Sequence, residues 1–365
     1  MVGSFAGLNP CLHRAMPHAT RREMLAAGLG GFFGSKSKAQ PAASARPPSS
    51  RALQRVMAYA KAHQTTQLLI AQGSRTLMHV GTDPSPTRIF SGTKGFWGFS
   101  ALAAQEDGLI NLDQRAADFL PTWQDDSRRA GITLRHLLDM TSGLEPCFSL
   151  HTERHANRNA VALSASQDAP PGRAFIYGPA GLQIFLEILQ LQLRRSASRR
   201  TAAGYLEQRV LKPLRLGPQR YLADDRGFPM AATGFVMTAA QWARLGHCLM
   251  QEGAPILRPA SFAQITQGRS PNPAFSLGFW NNRSAGSFWM RGREVDVEQE
   301  LNKDWKQQNW RRACLCQNAP TDLLAGIGSR HQRLYVIASR QLLVVRLSKK
   351  DGDFDDAEFL RLLLD

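Results

Sequence analysis

Ser91 and Lys94 stand three residues apart in Phe90-Ser91-Gly92-Thr93-Lys94-Gly95-Phe96. If this run opens a helix, the hydroxyl and the amine share one helical face. A lysine desolvated in a cleft loses part of its preference for the cation and can serve as a base toward that hydroxyl. The helix start adds backbone N–H groups and positive potential, which suit a developing oxyanion. Together these features point to acyl transfer through a covalent serine intermediate. The sequence carries no G-x-x-x-x-G-K-[ST] phosphate loop.

Other reactive side chains read as structural. His151-x-x-x-His155 has the spacing of helical metal ligands but no accompanying carboxylate signature, so an exposed loop is expected and no metal. The five cysteines include no C-x-x-C pair and no Cys/His quartet with zinc spacing. Cys314-x-Cys316 is read as two incidental thiols, or as one thiol paired elsewhere.

The elements around Ser91 follow from periodicity and turn chemistry. An amphipathic helix is expected from about Leu53 to His63. A strand at Gln67–Gln72, a tight turn at Gly73-Ser74-Arg75 and a partner strand at Thr76–Val80 follow it. Apolar spacing from Thr93 to Gln105 predicts the helix that carries Lys94, ended by Glu106-Asp107-Gly108. The middle of the chain to about residue 230 reads as mostly helical, most clearly at Thr133–Met140 and Ala180–Leu193. Ala239–Met250 is a further helix, with Thr238 placed to cap its start and Gly253 just past its end. Leu334–Ile337 and Leu342–Leu347 are β-branched-rich strands, and Ala357–Leu364 closes the chain as a helix. Strands at both ends with helices between them predict an α/β (α+β) fold. One antiparallel sheet is formed from both termini and flanked by helices, with a mostly helical insertion at about 96–230 and a cleft between the halves.

The 365 residues allow one large domain or two modest ones, and the 43 % hydrophobic and 20 % charged content is an ordinary globular balance. No apolar stretch approaches the ~18–20 residues of a transmembrane helix, so no span is expected. The net charge of +16 favours anionic surfaces such as cell-wall polymers, but the basic residues are scattered and no nucleic-acid motif accompanies them. Thr20-Arg21-Arg22-Glu23-Met24-Leu25 precedes a short apolar run, Ala26 to Phe33, and an Ala43-Ser44-Ala45 cleavage pattern. That order predicts a twin-arginine-type signal over residues 1–45 and export to the periplasm or medium, leaving residues 46–365 as the functional domain.

Longer motifs carry a family resemblance. Phe90 to Phe96, then Ala101-Leu102-Ala103-Ala104-Gln105-Glu106-Asp107-Gly108-Leu109-Ile110-Asn111-Leu112-Asp113, then Phe119-Leu120-Pro121, resemble the serine β-lactamase and penicillin-binding-protein superfamily. Ile132 to Leu144 looks like that family's next helix and turn, with His136 read as structural. Pro171-Gly172-Arg173-Ala174-Phe175-Ile176-Tyr177-Gly178-Pro179 is similar to its Pro-Gly-x-x-Phe-x-Tyr-Ser-Asn segment. This implies that Tyr177, as phenol or phenolate, exchanges protons with Ser91 and the leaving group. Pro179 departs from the family's Asn or Ser and has no donor to offer, which bears on β-lactam or D-alanyl-peptide hydrolysis more than on simple ester or amide cleavage.

Ala325-Gly326-Ile327-Gly328-Ser329-Arg330-His331-Gln332 resembles the Gly-rich, Gln-containing strand of esterase-like members, in place of Lys-Thr-Gly. It implies an oxyanion donor at Gly328 or Ser329, while Arg330 and His331 are read either as contacts for an anionic substrate group or as exposed loop charge. Ala231 to Gly246 and Phe275 to Trp280 look like a further helix entry and strand of the family. Residues 281–313, with Trp289, Trp305 and Trp310, match it poorly and read as a loop at the cleft mouth. The resemblance implies a cofactor-free serine hydrolase acting on a small-molecule or peptide-like ester or amide. The alternatives are a D-alanyl-D-alanine carboxypeptidase or β-lactamase, and a catalytically impaired binding protein of the same fold.

Overall fold

The computed structural model describes residues 46–152, 154–196, 198–286, 291–350 and 352–365. The expected export signal at 1–45 and Trp289 lie outside the described residues. In chain order the strands are β1 (Thr65–Gln72), β2 (Arg75–Gly81), β3 (Thr87–Arg88), β4 (Arg220–Tyr221), β5 (Phe235–Met237), β6 (Phe275–Ser276), β7 (Phe279–Asn281), β8 (Arg293–Glu294), β9 (Ala313–Cys314), β10 (Leu323–Gly328), β11 (Gln332–Ile337) and β12 (Leu342–Ser348). The helices are α1 (Ser50–Ala62), α2 (Thr93–Glu106), α3 (Leu134–Leu138), α4 (Ser149–Thr152), α5 (Arg158–Leu163), α6 (Ala180–Arg195), α7 (Ala202–Leu206), α8 (Ala239–Met250), α9 (Pro259–Thr266), α10 (Val297–Leu301) and α11 (Asp356–Leu364).

Seven strands form one sheet in the order β2-β1-β12-β11-β10-β7-β6, so strands from the two ends of the chain meet where β1 pairs with β12. All its ladders are antiparallel, as the sequence predicts. Adjacent strand residues point to opposite faces. Leu334 meets α8 at Gly246, while its neighbour Tyr335 lies against Phe359 of α11, with ring centroids 5.9 Å apart. Helices therefore cover both faces of the sheet.

Capping fixes the helix boundaries. Thr238 accepts from Gln241 N at the start of α8, and the Gln241 side chain accepts from Thr238 N in return. Thr133 and His136 close the same box on α3, which gives His136 its structural role. Two expectations are refined. The middle of the chain holds α2 to α7 but also long irregular stretches and the short strand β4, which pairs with β5 in a three-stranded sheet of order β3-β5-β4. Phe275–Trp280 is a hairpin of two short strands, because Leu277 (φ 48°) and Gly278 (φ 89°) turn the chain between them. Among the described residues no helix is long and apolar enough to cross a membrane.

Candidate active site

Helix α2 is apolar all round, and every residue from Thr93 to Ala104 is buried. The helix therefore carries Lys94 into the interior, where only 1 % of its surface is exposed. A 3-10 turn, Phe90–Gly92, precedes it and holds Ser91 at the helix entry. Phe90 adopts φ 45°, a left-handed conformation that costs a non-glycine residue about 1–3 kcal/mol and is maintained only by its surroundings.

Lys94 Nζ donates to Ser91 Oγ at 2.9 Å and to the Ala232 carbonyl at 3.3 Å. Burial alone lowers the Lys94 pKa to about 7. The uncharged amine can reverse the bond and accept the serine proton. The Lys94 ammonium position lies 4.5 Å from the centre of the Tyr177 ring. That ring is fixed by Phe175, Phe275 and Trp280, with centroids 6.0, 5.8 and 6.1 Å away. Burial pushes the Tyr177 phenol well above its ordinary value, and its hydrogen bond with Ser91 only partly opposes this. Of the two expected forms of Tyr177 the neutral phenol is the one this environment favours.

The far wall is the end of β10. A Cβ added at Gly328 would sit 2.1 Å from the Ile89 carbonyl and 3.2 Å from Gly92 N, so only glycine lets the strand come this close to the turn that carries Ser91. The pairing of β10 with β7 involves Leu324 and Ala325, which leaves Gly326–Gly328 without a ladder partner on that edge among the described residues. Arg333 Nη1 donates to the Gly328 carbonyl at 3.0 Å and holds this end in place. Ser329 is exposed in the turn that follows. The Arg330 guanidinium lies 5.5 Å from the centre of the Phe90 ring. His331 Nδ1 lies 3.2 Å from Arg333 Nη2 and 3.5 Å from Glu298.

The other expected loop features find structural places. Trp310 is buried 5.1 Å from Trp280, and Trp305 packs on Ala169, Ala174 and Ile176. Pro179 caps α6 without a side-chain bond. His155 Nε2 contacts the Ser149 carbonyl at 3.3 Å. Among the described residues no group of three or more His, Cys, Asp or Glu is placed to hold a metal.

Three residues escaped the sequence reading. Thr233, next to Ala232, accepts from Arg88 Nη2 at 2.9 Å and lies 3.1 Å from His151 Nδ1. His151, read as an exposed loop residue, is half-buried, and its pKa falls to about 3 through burial and the charges of Lys94, Arg88 and Arg158. Asp139 accepts from Leu277 N at 2.9 Å and so anchors the turn whose Gly278 presses on the Lys94 backbone. Burial raises its pKa to about 6. Each acts across the fold, where local spacing carries no signal. A cavity of about 630 Å³ lies at the opposite end of β10, beside Leu324, Val336 and Phe262, away from these groups.

A family model described as Beta-lactamase matches residues 82–364. No curated protein matches the chain. Among solved structures, a class C beta lactamase from Rhodobacter sphaeroides superposes with a TM-score of 0.62 at 16 % identity, covering 87 % of this chain and 99 % of that one. A D-stereospecific amidohydrolase from a Streptomyces species gives 0.59 at 17 % identity, covering 87 % and 98 %. A D-alanine carboxypeptidase from Burkholderia cenocepacia gives 0.59 at 14 % identity, covering 86 % and 96 %. At these identities the structural likeness speaks to the fold.

Proposed function

The chain belongs to the beta-lactamase family of serine hydrolases, and from that premise we propose that it cleaves an ester or amide through an acyl-enzyme on Ser91. The observation that carries this reading is the 2.9 Å bond between Ser91 Oγ and a buried Lys94 amine whose pKa is near 7. The uncharged Lys94 takes the Ser91 proton as Oγ bonds to the carbonyl carbon. The oxyanion that forms lies between the start of α2 and the Gly326–Gly328 edge of β10, where backbone N–H groups stabilise it. The carbonyl–heteroatom bond then breaks, and the leaving group receives a proton from Tyr177, which Lys94 replenishes. Water, losing a proton to the same base, then releases the acid and restores the serine.

A fluorophosphonate probe with peptide mass mapping tests this reading. We expect labelling at Ser91, with Ser91→Ala unlabelled and Lys94→Gln slowed by a factor on the order of 10²–10⁴. Folded protein that resists the probe would mean a binding protein on the same scaffold. Hydrolysis of p-nitrophenyl acetate without turnover of nitrocefin fits Pro179, which contributes no donor beside Tyr177. Nitrocefin turnover would instead favour the β-lactamase or carboxypeptidase alternative. We also propose export through the twin-arginine-like segment at Thr20–Leu25. Fractionation of cells expressing the Arg21→Lys, Arg22→Lys double variant tests it, with retention in the cytoplasm expected.

A further inference from the structure

We infer that a cavity between α6, the start of α7 and the turn at 224–228 is a second binding site, for a phosphate monoester with a flat apolar body. It is separate from the Ser91 site and stands whether or not the hydrolase reading holds. Residues 194–226 hold nine arginines or lysines against three acidic residues, so much of the +16 net charge sits in one short stretch. The fold wraps part of that stretch around a cavity of about 460 Å³, a volume ordinary for small-molecule sites.

The walls follow from local geometry. Leu186, Gln190 and Arg194 recur every four residues on α6 and form one stripe, running from the buried Leu186 to the exposed Arg194. Gln190 Oε1 accepts from Ala202 N at 3.0 Å and ties that stripe to α7. On another wall Asp224 folds the turn that presents Arg226 and Phe228. Its Oδ1 accepts from Arg226 N at 3.0 Å and from Phe228 N at 2.9 Å. Phe228 and Tyr221 supply aromatic surface, and Tyr221 is packed on Phe235 with ring centroids 6.2 Å apart.

The two cations at this cavity are uncompensated. Among the described residues neither the Arg194 nor the Arg226 side chain has an ion pair or a hydrogen bond. The acids nearby are engaged elsewhere. Both Asp224 oxygens accept from backbone, since Oδ2 takes Arg158 N at 2.9 Å. Asp225 lies 3.9 Å from Arg154, and Glu187 accepts from Asn159 Nδ2 at 2.5 Å. Glu207 acts on the Tyr221 phenol, which burial and then this carboxylate push up. Thr201 Oγ1 accepts from Gly204 N at 3.0 Å, which leaves its hydroxyl proton for a ligand. Two guanidiniums on different walls and one hydroxyl match the three terminal oxygens of a phosphate monoester. A carboxylate has two oxygens, which a single guanidinium fork would occupy.

Titration calorimetry of the full-length protein with 1-naphthyl phosphate at pH 8, where the ester is close to its dianion, tests the site. The ester should bind about 10-fold or more tightly than 1-naphthol and than inorganic phosphate. Its affinity should fall about 10-fold in Arg194→Gln and in Arg226→Gln. Both side chains are exposed, so the fold is kept. Arg75→Gln, an exposed change on β2, should leave the affinity intact. Flotation with phosphatidate vesicles separates the sources of such a group. Vesicle capture lost in both Gln variants makes the natural ligand a lipid headgroup, and no capture beside tight ester binding makes it a free ester. Ester affinity no better than that of the two control ligands, or unchanged in both variants, would overturn the inference. Labelling of Ser91 by the fluorophosphonate bears on neither result.

Discussion

A lysine whose amine titrates near pH 7 works as a base at neutral pH, whereas one at its ordinary value of ~10.4 is almost wholly cationic there. The sign follows directly. Protonation of Lys94 removes the base, so kcat/KM for an aryl acetate should rise with pH through about 7 and level off above it. Tyr177, pushed above its ordinary value, should impose no falling limb below about pH 10. Tyr177→Phe should lower kcat by ~10²-fold or more while leaving Ser91 labelled by the probe, because the proton donor is lost and the nucleophile–base pair is kept. The spacing of Ser91 and Lys94 is a weak signal by itself, and the run from Phe90 to Pro121 around them is what made the pair a candidate. Tyr177 required the surrounding motif, since a lone tyrosine in a chain says nothing of what it faces. Thr233 and His151 were not legible, because their partners Arg88 and Lys94 lie far away in sequence.

At the level of elements, the site depends on two turns pressed against α2 and its entry. One is the turn that ends β10 at Gly328, and the other is Leu277–Gly278, where a Cβ on Gly278 would approach the Lys94 carbonyl carbon to 2.5 Å, and where Asp139 supplies the anchor. Burial raises the Asp139 pKa to about 6, above its unfolded value of ~3.9. Its contribution to stability is therefore fully present below about pH 4 and is lost as pH rises through about 6. Asp139→Asn should flatten the pH dependence of urea unfolding between those limits. Asp139→Ala should cost about 1–3 kcal/mol by leaving Leu277 N unsatisfied, with a parallel loss of kcat. The helices α2, α6 and α8 were readable to within one or two residues, because caps and 3.6-residue periodicity are local. The hairpin at Phe275–Trp280 was not, because an apolar run of that length fits a strand until the backbone dihedrals of Leu277 are known.

On the scale of the whole molecule, the sheet joins β1 to β12, and a buried charge cluster ties β10 and β11 to α10 and α11. Arg333 is fully buried, contacts Asp356 at 2.6 and 3.1 Å and Glu298 at 2.9 Å, and reaches the Gly328 carbonyl. Burial would raise the Asp356 carboxyl, but Arg333 and the Tyr335 hydroxyl outweigh it and hold the pKa below its ordinary value. Removing one partner of such a pair strands the other, so Asp356→Ala should destabilise the fold by about 3–5 kcal/mol in denaturant unfolding. Acyl-enzyme formation should weaken as well, since Arg333 no longer holds the end of β10. The antiparallel sheet from both termini was foreseeable from the order of the elements. The placement of the +16 charge was not: counting basic residues cannot show that two of them are buried under a sheet and two others converge on one ring.

The seam between β1 and β12 has a consequence for biosynthesis. Ser91 and Lys94 leave the ribosome well ahead of Gly328 and the strand end that packs against their turn. A partly translated polypeptide that lacks β10 holds the proposed nucleophile and base but no opposing edge, so the proposed reactivity waits for that strand. Cutting the gene between these segments should yield two inert fragments that regain activity only when mixed.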